Sequence, residues 1–551
     1  MGSCLCKDKN ESDEENETGV GGHIQRQWRG SSHRNSQRRS GDDLQASATS
    51  KTLSDTVDKL VRETLDVIST IIDNEPEPPS SILMLHMITE KPAGWIELVR
   101  SLMRVVPVEH PMGPSVIALL LDDSPLPTKE SVLKVGEMVA PKYGLKNYLR
   151  NERNLCVILG CLAEKLAGPS SIALLNNSML KYLINNLNDD VEPNIKLLAL
   201  IALEKFAQTS ENKVTIQKSL QEMKQSPLLT LEQHVLSTNF LLRQIGFCAC
   251  WCLDNYFPVS GRKYSYETTN VSHINAMLNT KDVSEYLKIS PDGLEARCDA
   301  YTFESVRCTF QITDGCWYYE VLLITPGVMQ IGWATKESSF LSDDGYGIGD
   351  DKYSIGFDGC RRLIWHNAKS VPHSMPTWKC GSILGCLLDI ERHEVIFSLD
   401  GETTDPYKHI FNSVREGFFA AASFMSFQQC RFNFGLEPFR YPPQRPFHNF
   451  NESGILDSSD KIILPRHIYL EMLRKVSVRD DSCTLCFDIK ATMSLEPCGH
   501  RGFCITCTEQ LKFCPMCRSD IHTKVQECTD SPVNVEGTDM DCIKALPQLK
   551  T

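Results

Sequence analysis

The sequence predicts a multidomain chain built from an α-helical region, an antiparallel β-sandwich and a small metal-braced α+β module. Three observations predict it. From Ser54 apolar residues recur at three- and four-residue steps, from Glu295 the recurrence changes to two, and from Cys483 to Cys517 eight cysteine and histidine residues fall in four close pairs. The 551 residues leave room for several cores at roughly 150 residues per domain. A formal net charge of −13 argues against a general nucleic-acid binder. Of the 23 cysteines, those outside the C-terminal pairs are scattered without a disulfide-like framework, which suits a reducing cytosol. No run of eighteen apolar residues and no secretory core appears, so a cytoplasmic protein is expected.

Residues 1–51 read as a disordered tail rich in Ser, Gly and charge. Its opening, MGSCLCKDKNESDEENE, places Gly2 behind the initiator Met with Cys4 and Cys6 close by, and resembles a dual-acylation signal. One myristoyl chain holds a membrane only marginally, and a palmitoylated cysteine or the basic stretch Arg26, Arg29, Arg34, Arg38 and Arg39 would supply the second anchor. The resemblance thus implies a membrane surface as a partner. Cys6 stands where Ser or Thr is preferred, and Asp8 to Glu17 is acidic, both departures from the pattern.

Residues 52–257 are expected to be helical. Val57, Leu60, Val61, Leu65, Ile68, Ile71 and Ile72 define one apolar face, and later segments are punctuated by Pro107, Pro125, Gly168-Pro169 and Pro193. Glu164-Lys165-Leu166-Ala167 recurs as Glu204-Lys205-Phe206-Ala207, a forty-residue period that fits armadillo or HEAT repeats, with an irregular bundle as the alternative. Either arrangement predicts a scaffold that docks a partner. Cys248, Cys250 and Cys252 alternate along a helix, which splays them apart, so they are expected to be buried thiols and no metal site. Residues 258–294 read as a helical join.

Residues 295–440 read as short strands bounded by Gly, Asp or Pro: WYYEVLLI at Trp317, VMQIGWAT at Val328, GSILGCLLDI at Gly381 and EVIFSLDG at Glu394. With Tyr353-Ser-Ile-Gly-Phe-Asp-Gly and GFFAAASFMSFQQCRFNFG, their order resembles a SPRY domain. The resemblance implies a B30.2-like sandwich that binds a protein substrate through loops at one edge and has no catalysis of its own. FLSDDGYGIGDD, with Gly345, Gly347 and Gly349, superficially suggests a phosphate cradle. An acidic loop between strands would instead repel phosphate. Residues 441–482 are expected to be a linker that uncouples the sandwich, then a helix from Pro465 with Ile468, Met472, Leu473 and Val476 on one face.

The C-terminal pairs are Cys483 with Cys486, Cys498 with His500, Cys504 with Cys507, and Cys514 with Cys517. Closed zinc sites need four sulfur or nitrogen ligands each, so eight ligands make two zinc ions. The order of spacings over 483–518 resembles the RING finger. In that family the pairs interleave, which implies one ion on Cys483, Cys486, Cys504 and Cys507 and the other on Cys498, His500, Cys514 and Cys517. The family also implies that Leu485 and Pro515 dock a ubiquitin-conjugating enzyme and that Arg518 bridges it to ubiquitin. No Trp lies between Cys507 and Cys514, where Leu511 and Phe513 are the apolar residues, which leaves the choice of conjugating enzyme open.

By this resemblance to RING and SPRY proteins, the chain is expected to be a RING-type E3 ubiquitin-protein ligase, a transferase that works by orientation without a covalent ubiquitin intermediate. The alternative is a non-catalytic zinc-containing adaptor. Residues 519–551 read as a disordered tail.

Overall fold

The computed structural model describes residues 43–68, 79–139, 149–166, 168–223, 225–342, 345–414, 417–475, 482–486, 489–509, 511–515 and 519–526. The acylation candidates Gly2, Cys4 and Cys6 lie outside them. Among the described residues no helix is long and apolar enough to cross a membrane. The chain forms two compact units, Met1–Pro465 and Arg466–Thr551.

The first unit begins with helices α1 (Asp43–Ile68), α2 (Ser80–Thr89), α3 (Pro92–Val105), α4 (Gly113–Asp123), α5 (Lys129–Val139), α6 (Leu149–Lys165), α7 (Pro169–Leu174), α8 (Asn177–Asn185), α9 (Pro193–Phe206), α10 (Ser210–Gln221), α11 (Pro227–Leu231) and α12 (Phe240–Asn255). Their starts follow local chemistry. Pro92, Pro169, Pro193 and Pro227 each open a helix, where a missing N–H costs nothing. Asn176 and Asn239 cap α8 and α12 by accepting two backbone N–H bonds apiece. α6 and α9, which carry the related Glu-Lys cores, pack on each other, and Lys205 of α9 pairs with Glu164 of α6 at 2.5 Å. Stacked repeats require such packing, and a bundle provides it equally. Cys248 and Cys252 are fully buried and Cys250 half-buried along α12, as the alternating spacing predicts.

The expected helical join over 258–294 is a correction. Only the short α13 (Ser265–Thr268) is helical there, and the segment goes on to supply β1 (Leu278–Val283) and β2 (Leu287–Ile289), which pair with the sandwich. β1 is an edge strand whose side chains are mostly not buried, so it carries no apolar alternation. Cross-strand pairing decides its conformation over local propensity.

The sandwich continues with β3 (Glu295–Cys298), β4 (Glu304–Cys308), β5 (Cys316–Leu323), β6 (Met329–Thr335), β7 (Ser354–Asp358), β8 (Leu363–His366), β9 (Lys369–Pro372), β10 (Ile383–Asp389), β11 (Glu394–Leu399), β12 (Glu402–Thr403), β13 (Phe418–Phe424) and β14 (Gln428–Asn433). One seven-stranded sheet runs β1-β4-β13-β6-β7-β8-β9 and the other β12-β11-β10-β5-β14-β3-β2, antiparallel throughout. Between them lies a core rich in rings, including Tyr319, Trp333, Phe357, Phe397, Phe424 and Phe432.

A second correction concerns the linker from Tyr441. Glu320 accepts the N–H groups of Arg440 and Tyr441, Arg445 pairs with Asp389 at 2.8 Å, and α14 (Phe450–Ser453) buries Phe450 completely. Asn451 and Lys461 then bond back to Asn275. The segment is a strap on the sandwich, tied down by a buried ring, an ion pair and hydrogen bonds to residues that a Pro-rich reading does not bring near it.

Candidate metal centre and recognition surfaces

The second unit begins with α15 (Arg466–Lys475), which starts where Pro465 predicts. Ile468 is half-buried, while Tyr469, Leu470 and Met472 are exposed; Val476 lies outside the described residues. β15 (Met493–Glu496) pairs antiparallel with β16 (His500–Phe503) and with β17 (Thr523–Gln526), and α16 (Ile505–Glu509) follows β16. Their apolar residues are few. Met493, Leu495, Phe503 and Cys514 form the buried cluster, with Cys498, Leu511 and Ile521 against it.

Turns deliver the ligands. The N–H of Cys483 bonds to the carbonyl of Ile489 at 2.7 Å, closing a loop that presents Cys483 and Cys486 together. Cys504 and Cys507 sit at the entry of α16, with the Cys507 N–H donating to Cys504 Sγ at 3.4 Å. Gly499, at φ 69°, makes the turn between Cys498 and His500. Cys514 is held by a 2.9 Å bond from its N–H to the Ser519 carbonyl.

Two clusters result. The donor atoms of Cys483, Cys486, Cys504 and Cys507 lie within 4.8 Å of one another, and so do those of Cys498, His500 and Cys514. Cys486 Sγ and Cys504 Sγ are 3.8 Å apart, and Cys514 Sγ and His500 Nδ1 are 3.6 Å apart. Tetrahedral zinc with ligand bonds of about 2.3 Å to sulfur and about 2.0 Å to nitrogen has edges of about 3.5 to 3.8 Å, so the donors fit it. Cys517 and Arg518 lie outside the described residues.

Burial opposes ionisation of Cys483, yet backbone N–H groups of Cys486, Leu485 and Cys504 draw it down to about 6. Cys507 is pushed up to about 12, chiefly by its hydrogen bond with Cys504. Four crowded sulfurs cannot all be thiolates without a positive ion among them.

Leu485, inside the first pair, is 42% exposed, and Pro515 is exposed inside the last. Reading the sequence for ligands alone overlooks Ile489 and Ile505, which are also exposed in this small unit. Their signal is position, since each is an apolar residue just beyond a ligand in a module with little core to fill.

In the first unit the glycine-rich stretch joins β6 to β7. The Gly347 N–H donates to the Asp350 carboxylate at 2.7 Å and the Gly349 N–H to Ser354 Oγ at 2.8 Å. A Cβ on Gly347 would stand 2.3 Å from the Phe303 ring. These donors are already engaged by the chain itself, and the loop is a connection.

Residues 316–437 match the SPRY domain family, and residues 479–524 match the C3HC4-type zinc finger, or RING finger, family. The chain is 35% identical over 145 residues to the E3 ubiquitin-protein ligase RKP of Arabidopsis thaliana, covering 25% of this chain and 11% of that protein. It is 28% identical over 171 residues to the ATP-dependent RNA helicase DDX1 of Xenopus laevis, covering 31% of this chain and 22% of that protein. The chain thus spans a minor part of either relative's length. Among solved structures, the SPRY domain of human HERC1 aligns with 28% of the chain and 96% of its own length at 11% identity and a TM-score of 0.24. The TRIM65 PSpry domain aligns with 29% and 90% at 15% identity and a TM-score of 0.25.

Proposed function

We propose that this chain, which carries a SPRY domain and a C3HC4-type RING finger, is a RING-type E3 ubiquitin-protein ligase. The observation that supports the reading most is the exposure of Leu485 and Pro515 beside two clusters able to hold zinc. An apolar side chain left in water by so small a unit gains roughly 1.5 to 3 kcal/mol when a partner covers it. The covering partner is a ubiquitin-charged conjugating enzyme, with Ile489 and Ile505 extending the contact.

Zinc, held by Cys483, Cys486, Cys504 and Cys507 and by Cys498, His500, Cys514 and Cys517, supplies folding free energy to a module with little core. With its cysteines committed to metal, the module has no free thiol to carry ubiquitin. Catalysis is then by orientation, as the substrate lysine attacks a thioester that the conjugating enzyme itself carries. Arg518 has the forked donors to hold that thioester's carrier and its ubiquitin together. The SPRY sandwich recruits the protein substrate, and the helical region docks a scaffold or regulator. Acylation at Gly2 with Cys4 or Cys6 would bring the ligase to a membrane surface.

Autoubiquitination of the zinc-loaded chain with a panel of conjugating enzymes tests the reading. Activity in the wild type that is lost in Leu485→Ala at equal zinc content is the expected result. Absence of activity with every enzyme would favour a zinc-containing adaptor.

A further inference from the structure

The helical region and the sandwich meet along a seam that buries charge as well as hydrocarbon. Lys288 of β2 pairs with Glu204 of α9 and, at 2.8 Å, with Asp299. Arg243 of α12 pairs with Glu295 of β3 at 2.5 Å, and Gln244 of α12 accepts from Arg297 of β3 at 3.0 Å. Two ion pairs thus cross the seam, Asp299 holds Lys288 and Arg297 on the sandwich side, and most of these side chains are almost wholly buried. Hydrocarbon crosses the seam as well. Val328 and Phe427 are the sandwich residues buried in the helical core, with Met425 and Cys360 at its margin.

The apolar contacts and Asp299 gather at one end of the sandwich, while Lys288, Glu295 and Arg297 come from β2 and β3 beside it. The turns β5–β6, β7–β8 and β13–β14 supply Val328, Cys360 and Phe427, and the β3–β4 turn begins at Asp299. Ser115 of α4 donates to the Ser426 carbonyl at 2.9 Å, and Ser426 in turn donates to the Ala300 carbonyl at 2.6 Å. The loop end that a sandwich could offer to a partner is occupied by the chain's own helices.

Buried ion pairs lose in desolvation about what they gain in attraction, so the seam adds little net stability. Opening it returns six charged groups to water. Opening either core would instead expose hydrocarbon, with no such return. We propose that the helical region covers this loop end, and that the first unit opens along the charged seam before either half unfolds. The opened end then receives a protein partner, a consequence that rests on reading the sandwich as the substrate selector; the opening itself does not.

Thiol labelling of the full zinc-loaded chain, followed residue by residue in native buffer, tests the opening independently of ligase activity. Cys248, Cys252 and Cys156 are all fully buried in the helical core, but only the first two lie beside the seam charges, and Cys386 and Cys430 lie in the sandwich core. Cys248 and Cys252 are expected to label at least about tenfold faster than the other three, with amides of 299–303 and 426–427 exchanging in the same step. Glu204→Gln should speed only this step. Labelling of all five cysteines together would overturn the proposal, and so would fast labelling of α12 without exchange on the sandwich side, which is fraying of one helix.

Discussion

Phe450 stands edge-on to Trp317, with ring centroids 5.5 Å apart, although it follows the last sandwich strand by a long irregular segment. It also meets Tyr319 edge-on at 5.9 Å and is completely buried. Edge-to-face rings add stabilisation beyond the area they bury. Phe450→Ala should therefore destabilise the first unit by about 3 to 5 kcal/mol, read as a lower urea midpoint. A loss below about 1 kcal/mol would mean that the strap is detachable and that the sandwich closes without it.

Lys288→Met tests the seam thermodynamically. The substitution leaves the Glu204 carboxylate buried without its partner, while Asp299 keeps Arg297 at 2.8 Å. The expected cost is about 3 kcal/mol, because an uncompensated buried charge is worse than none. Combining it with Glu204→Gln should recover at least about 1 kcal/mol. Additive losses in the double variant would show that the two residues do not act as a pair.

Metal removal should separate the two units. Cys483→Ser removes one of four clustered sulfurs, and chelation removes both ions, so bound zinc should fall below two per chain and the second unit should lose its amide protection. The thermal transition of the first unit should not move, because among the described residues its cores contain none of the second. A shift in that transition would reveal coupling between the units.

The sandwich strands and the paired ligands were legible because each has a short-range signature. Trp317-Tyr-Tyr-Glu and its neighbours are short apolar and aromatic runs bounded by turn residues, and Cys-x-x-C steps are local by nature. β1 and β2 were not legible, since Lys281 and Asp282 give an edge strand no apolar face. The seam was hidden for a related reason. Glu295, Arg297 and Asp299 alternate along a strand in the way a solvent face does, Lys288 falls in the stretch read as a helical join, and packing beside α9 and α12 buries them. The strap was misread because Pro442 and Pro443 signal a linker, whereas its attachment depends on partners as distant as Glu320 and Asn275.

Asp123 gives a pH-dependent prediction with a definite sign. It is the last residue of α4, where the helix dipole disfavours an anion, and burial raises its carboxyl to about 6 against the pull of His86. Asp122 beside it is raised for the same leading reason, with Lys165 opposing. A carboxyl raised on folding holds its proton more tightly in the native state. Its contribution is therefore full below the ordinary carboxylate range and is lost as pH rises through about 6. Asp123→Asn keeps the 2.9 Å contact between His86 Nδ1 and the backbone carbonyl of residue 123 but removes the titration. The variant should match the wild type near pH 4 and become the more stable of the two between pH 4 and 7, by at most about 2 kcal/mol after solvent screening. Thermal midpoints of both proteins across that range measure the difference. A variant less stable by the same amount at every pH would mean instead that Asp123 is ionised throughout and held by His86.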